Sequence, residues 1–161
     1  MRTLLVTSTV LVAFACARPS SPPSTDAANP GIDSLNAGLV EAYRSKDPKA
    51  YGMLFTDTAV FEWPAFIVRG RPGLEAMARD NWPRLKDMEL ALQVSARRIG
   101  GNHATEFGAF QQSWTDSTRG RMIEYGRYVH FLVRDSTGWR IDRFAGFEDS
   151  TRAVQPSAAR K

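Results

Sequence analysis

The chain is poor in the residues that build metal and redox chemistry. It holds one cysteine, Cys16, and two histidines, His103 and His130, among 161 residues. Cys16 stands in an N-terminal leader, so the rest of the sequence offers no disulfide and no thiolate site. Two histidines leave a multi-histidine zinc site short of ligands, so no metal is expected. No Gly-rich phosphate cradle and no Ser, Cys or Thr nucleophile motif is present, and no cofactor is expected. The formal charge of +4 comes from scattered arginines, among them Arg69, Arg71, Arg79, Arg97, Arg98, Arg119 and Arg121. A nucleic-acid binder gathers such charge on one stripe, so no nucleic-acid partner is expected. The apolar run Leu4 to Ala15 is too short to cross a bilayer.

What is present begins with a secretory leader. Arg2 supplies the positive start, and Thr7, Ser8 and Thr9 alone interrupt the apolar run to Ala15. Ala13-Phe14-Ala15 satisfies the small-x-small rule for cleavage. Val12-Ala13-Phe14-Ala15-Cys16 resembles a bacterial lipoprotein signal with Cys16 as the lipidated residue, although Ala13 stands where that pattern prefers Leu. The chain is therefore expected to be exported to the cell envelope or periplasm. It is either tethered there through a lipid on Cys16, its sole membrane contact, or freely secreted. Residues 17–31, with Pro19, Pro22, Pro23 and Pro30 among serines, read as a disordered tether.

From Ile32 the pattern becomes that of a packed domain. Ile32, Leu35, Leu39, Val40 and Tyr43 recur at helical spacing, with Asp33 or Ser34 as the cap. Pro48 opens a short second helix carrying Tyr51, Leu54 and Phe55. Asp57 reads as part of a turn, Thr56-Asp57-Thr58, before a strand from Ala59 to Trp63, with Glu62 pointing to solvent. A second short strand, Phe66 to Val68, leads into a third helix with Leu74, Met77, Ala78, Trp82 and Leu85 on one face, ended by Pro83. Beyond Asp87 the period changes to two, with strands from Met88, from Ala104 to Thr115, and from Met122 to Arg134. The last of these would span roughly 40 Å at ~3.3 Å per residue, so it must bend; Gly126, like Gly108 before it, suits a bulge. Asp135 to Gly138 then turns the chain into Trp139 to Phe147. Residues 150–161 read as a disordered tail. The sum is an α+β fold: three N-terminal helices on a strongly curved, mainly antiparallel sheet, a cone-shaped α+β barrel, over residues 32–149.

This order, and the phrases Leu54-Phe55-Thr56-Asp57-Thr58-Ala59-Val60-Phe61, Arg69-Gly70-Arg71-Pro72-Gly73 and Gly126-Arg127-Tyr128-Val129 closing on Gly138-Trp139-Arg140-Ile141, resemble the nuclear transport factor 2-like superfamily. That superfamily includes ketosteroid isomerases and SnoaL-like polyketide cyclases. The resemblance implies a cone-shaped pocket between helices and sheet, often a homodimer, and functions from isomerase to pure binding. In its isomerases an aspartate base stands where this chain has Trp63, and a phenol donor falls near Leu39. Neither residue transfers a proton. The late aspartate of the cyclases has a loose match in Asp149.

Two constellations follow. With a three-residue loop after Asp135, His130 and Asp142 become diagonal neighbours on paired strands, a carboxylate-oriented general base; a two- or four-residue loop dissolves the pair. Trp63, Phe66, Trp82, Phe110, Trp114, Tyr128 and Phe144 line an apolar pocket with polar tips. The expected function is binding of a small apolar or amphipathic molecule, without the steroid-isomerase mechanism. The alternatives are a cofactor-free isomerase, cyclase or hydratase with His130 as base, and a non-catalytic dimerisation module.

Overall fold

A computed structural model describes residues 28–154. Cys16, the leader and most of the tether lie outside it. Helix α1 (Pro30–Ser45) is capped by Asn29, whose side chain accepts from the Gly31 and Ile32 amides at 3.1 Å, with Pro30 in the first turn. The cap lies upstream of Asp33 and Ser34 because Asn29-Pro30 supplies both the acceptor and the fixed φ that a helix start needs. Lys46 closes the helix in a left-handed conformation. Asp47 then caps α2 (Pro48–Met53) by accepting from Lys49 and Ala50.

Strand β1 (Phe55–Trp63) starts four residues before Ala59. Asp57 is thus a strand residue rather than a turn residue, held at the surface by Arg71 at 2.9 Å. Glu62 is half-buried, with β2 (Phe66–Arg69) alongside. Helix α3 (Gly70–Asn81) passes into a single 3₁₀ turn, Trp82–Arg84, where Pro83 prevents further α-helix. Four long strands complete the chain: β3 (Leu85–Gly100), β4 (His103–Asp116), β5 (Gly120–Asp135) and β6 (Gly138–Ala153).

The six strands run in the order β2-β1-β6-β5-β4-β3. The four long strands form an antiparallel meander, and β1 joins it in parallel beside β6, with Phe61 opposite Phe144. The helices cover one face, giving a curved, mostly antiparallel open sheet with a core of Ile32, Leu35, Leu39, Phe55, Leu74, Leu132 and Ile141 between the layers. Strand β6 runs past residue 149: Ser150 to Ala153 pair with Met122 to Tyr125. Backbone pairing holds this segment although its side chains are polar and exposed.

Curvature comes from extra residues set near glycines. Ser95 is bulged where β3 passes Gly108, and Asp149 is bulged where β6 passes Gly126. The glycines also let rings lie on the sheet. A Cβ at Gly108 would come within 2.5 Å of the Tyr128 ring, and one at Gly126 would strike the Phe147 carbonyl and come within 2.5 Å of the Phe110 ring. At Gly100 an added Cβ meets nothing within 4 Å. Gly126→Ala should therefore cost about 2 kcal/mol or more in urea unfolding, with the midpoint lowered, while Gly100→Ala stays within about 0.5 kcal/mol of wild type.

Candidate functional site: an aromatic cavity and a buried polar cluster

The concave face of the sheet carries two different environments. At one end α1 sits against β3, β4 and β5 through a buried carboxylate, Glu106, which has no solvent exposure. Its Oε1 accepts from the Asn36 amide at 2.8 Å and from the Tyr128 hydroxyl at 3.1 Å. Its Oε2 accepts from Arg97 Nε at 2.8 Å, and the Arg97 terminal nitrogen lies 2.6 Å away. Arg97 also reaches Asp33 on α1 at 2.8 Å. Burial alone would raise the Glu106 pKa, but the surrounding groups, His130, Asn36 and Arg97, bring it down from 4.5 to about 2. The His130 contact is 3.6 Å, too long for a hydrogen bond, so Asn36 and Arg97 are the contacts that hold the charge.

His130 is fully buried, with its ring 4.3 Å from Tyr128 and 5.3 Å from Phe144. Among the described residues, neither ring nitrogen has a hydrogen-bond partner. Burial pushes its pKa below the ordinary value, against the pull of Glu106. The expected partner, Asp142, is elsewhere. The β5–β6 loop has two residues, Ser136 and Thr137, between the paired Asp135 and Gly138. Leu132 opposes Ile141, and Asp142 is the bulged residue. Its carboxylate accepts from Thr56 on β1 at 2.9 Å. His130 opposes Phe144, and its nearby carboxylate, Glu106, comes from β4.

The other end is a cavity of about 470 Å³. Trp63, Phe66, Trp82, Phe110, Trp114, Tyr128 and Phe144 all line it, joined by Tyr43, Tyr51, Phe61 and the aliphatic Leu39, Leu90 and Leu92. Phe61 and Phe144 stack with centroids 4.5 Å apart, and Trp82 packs edge-on against Tyr51 at 5.1 Å and Tyr43 at 5.7 Å. Asn81 and Gln112 are the amides in the lining. Among the described residues, no Lys, Arg, Asp, Glu or His lines the cavity. Burial raises the pKa of the Tyr43 and Tyr51 phenols, so both remain protonated. Among the described residues there is also no group of three metal-ligating side chains. His103 is exposed beside its turn, and Asp149 is forked onto Arg127 at the surface at 2.8 and 3.1 Å.

A helical layer over a strongly bent sheet, hollow at one end and lined by rings, defines the nuclear transport factor 2-like class of fold. Within it, the SnoaL-like domain family matches residues 28–145, and the chain belongs to that family. Solved structures with the same fold are distant in sequence. A Novosphingobium aromaticivorans protein provisionally assigned as a scytalone dehydratase superposes with a TM-score of 0.68 at 15% identity, over 81% of this chain and 93% of its own. The ketosteroid isomerase-like protein of Erwinia carotovora atroseptica gives 0.62 at 18%, over 74% and 94%. The hexachlorocyclohexane dehydrochlorinase LinA-type3 of Novosphingobium barchaimii gives 0.66 at 12%, over 77% and 88%. Comparison with curated protein sequences gives no match.

The polar cluster makes stability depend on pH twice. The folded Glu106 pKa is depressed, so its contribution is complete above about 4.5 and is lost as pH falls towards about 2. The folded His130 pKa is also depressed, so the unfolded chain takes up the proton first and stability falls as pH drops below 6.5. Urea unfolding from pH 8 to 3 should show a decline beginning near 6.5 that His130→Phe removes, and a steeper one below about 4.5. Glu106→Leu, which takes the buried acceptor away from Asn36, Tyr128 and Arg97, should cost about 3–5 kcal/mol at pH 7 and flatten the second decline.

Proposed function

We propose that the domain binds a small apolar or amphipathic molecule in the aromatic cavity and that it does not use a steroid-isomerase mechanism. The observation that carries this is the lining: a 470 Å³ hollow walled by rings and aliphatic side chains, with amides and phenols as its polar tips. That is the make-up of a small-molecule site. Trp63 and Leu39, which stand where isomerases of the superfamily carry a base and a phenol donor, both line the cavity and neither exchanges a proton. The reading with His130 as general base has less support, because Asp142, the carboxylate meant to orient it, is bonded to Thr56 instead. Export and a lipid tether through Cys16 belong to the same proposal and rest on the leader sequence alone.

A ligand of eleven non-hydrogen atoms, 4-phenylbutan-1-ol, should bind with a Kd of about 1 mM or tighter. Leu92→Trp, which fills the hollow, should weaken it by at least about 10-fold in calorimetry while the urea midpoint stays near that of wild type. Equal binding by the filled variant, or no binding by wild type of either this alcohol or any molecule retained from its own cell envelope in native mass spectrometry, would overturn the reading.

A homodimer is proposed on a separate observation. The outer sheet face exposes Phe107, Phe131 and Phe147, at 39%, 44% and 48%. Apolar rings grouped on one face mark an association surface. Sedimentation should show a dimer for wild type and a monomer for Phe107→Glu; a wild-type monomer at high concentration would remove this part of the proposal.

A further inference from the structure

Glu124 occupies the concave face of β5, opposite Gln112 of β4, one of the amides in the cavity wall. It is 6% exposed, and among the described residues its Oε1 has no hydrogen-bond partner. A carboxyl group taken out of water and left half-satisfied costs free energy unless something else meets it. From α1, the Tyr43 phenol is near enough to be affected by its charge. From β6, the charged neighbour is Glu148, exposed, whose Oε1 accepts from Thr151 at 2.6 Å. From β4, the Gln112 amide favours the ionised form. Among the described residues, no guanidinium or ammonium is among the groups acting on it. This is the reverse of Glu106, whose two oxygens are both occupied.

The adjoining cavity has the same polarity. Its walls include Trp63, Trp82, Trp114, Tyr43 and Tyr51, whose faces are electron-rich, and no cationic side chain. Ring faces attract ammonium groups, more strongly when water is excluded. A carboxylate ligand would meet repulsion from Glu124 and Glu148 and no compensating cation.

We propose that the cavity takes an organic cation: an amphipathic amine whose apolar part lies among the rings and whose ammonium group reaches the Gln112 wall, where Glu124 beside it supplies the counter-charge. This rests on the cavity being a binding site and specifies what enters it. Burial, followed by the charge of Glu148, raises the Glu124 pKa against the pull of Gln112, so amine binding draws a proton off the carboxyl and tightens as pH rises.

The test compares three probes of one shape, 4-phenylbutylamine, 4-phenylbutan-1-ol and 4-phenylbutyrate, by calorimetry on the folded domain. At pH 8 the amine should bind about 10-fold tighter than the alcohol, and the acid weakest. The advantage of the amine should shrink as pH falls, because the probe keeps its charge while Glu124 takes up a proton earlier than an ordinary carboxylate. Glu124→Gln should bring the amine to the level of the alcohol; Glu124→Asp, which keeps the charge, should retain a preference. Alcohol binding with no amine advantage, or an advantage that survives in Glu124→Gln, overturns the cation proposal and leaves the cavity reading intact. Failure of wild type to bind any of the three probes overturns the cation proposal, and with no molecule retained from the cell envelope it overturns the cavity reading as well.

Discussion

One carboxylate with no access to water constrains this fold. Glu106 sits on a strand facing a helix, where an uncompensated charge would be prohibitive. Its partners come from three other elements: Asn36 on α1, Arg97 on β3 and Tyr128 on β5. Meeting its demand therefore fixes the seat of α1 on the sheet and the β3–β4–β5 register together. Such a pair adds little net stability over well-packed apolar groups, but breaking one partner is expensive. Its effect is to exclude other arrangements of these four elements. It also orients Tyr128, whose hydroxyl belongs to the polar cluster while its ring forms part of the cavity wall. The closed end of the cone thereby shapes the open end.

Curvature is the second half of the geometry. A flat sheet would bring the helices into uniform contact and leave no hollow. Bulges at Ser95, Asp149 and Asp142 bend the long strands at three levels. Rings occupy the space that side chains at Gly108, Gly126 and Gly146 would fill: Tyr128 over the first, Phe110 over the second, Trp63 over the third. Those three rings are cavity residues, so the substitutions that permit bending also furnish the wall.

Much of this was legible in the chain. Alternation of apolar and polar residues after Asp87 marks four strands, and seven of the ten aromatic residues of the pocket could be named from the pattern; Tyr43, Tyr51 and Phe61 read only as core. What pattern could not supply was register. The choice between a two- and a three-residue loop after Asp135 moved Asp142 away from His130, and a bulge then decoupled Asp142 from simple alternation. Glu106 carried a signal that went unread: it alternates inward with Ala104, Gly108 and Phe110, a charge where a core residue belongs. Its partner Arg97 lies directly across the Gly100–His103 hairpin. The helix start was misplaced because Pro30 reads equally as the end of a proline-rich tether and as the first residue of a helix. The continuation of β6 to Ala153 rests on backbone pairing, which leaves no hydrophobic trace.

Two buried glutamates on one concave face have opposite circumstances, and the contrast bears on function. Glu106 is surrounded by donors from its own chain, so its charge is spent internally and its carboxylate can do nothing for a ligand. Glu124 is almost as deeply buried, yet one oxygen is unpartnered and the neighbouring charge is of its own sign. A buried polar group left unsatisfied marks a place where the chain tolerates a cost that most structures remove. Replacing Glu124 by a hydrophobic residue would remove that cost at once, since its cross-strand and helical neighbours are an amide and a phenol. Retaining a carboxyl group there, beside a hollow walled by rings, makes sense when its missing partner arrives from outside the chain, and the missing partner of a carboxylate among aromatic faces is a cation.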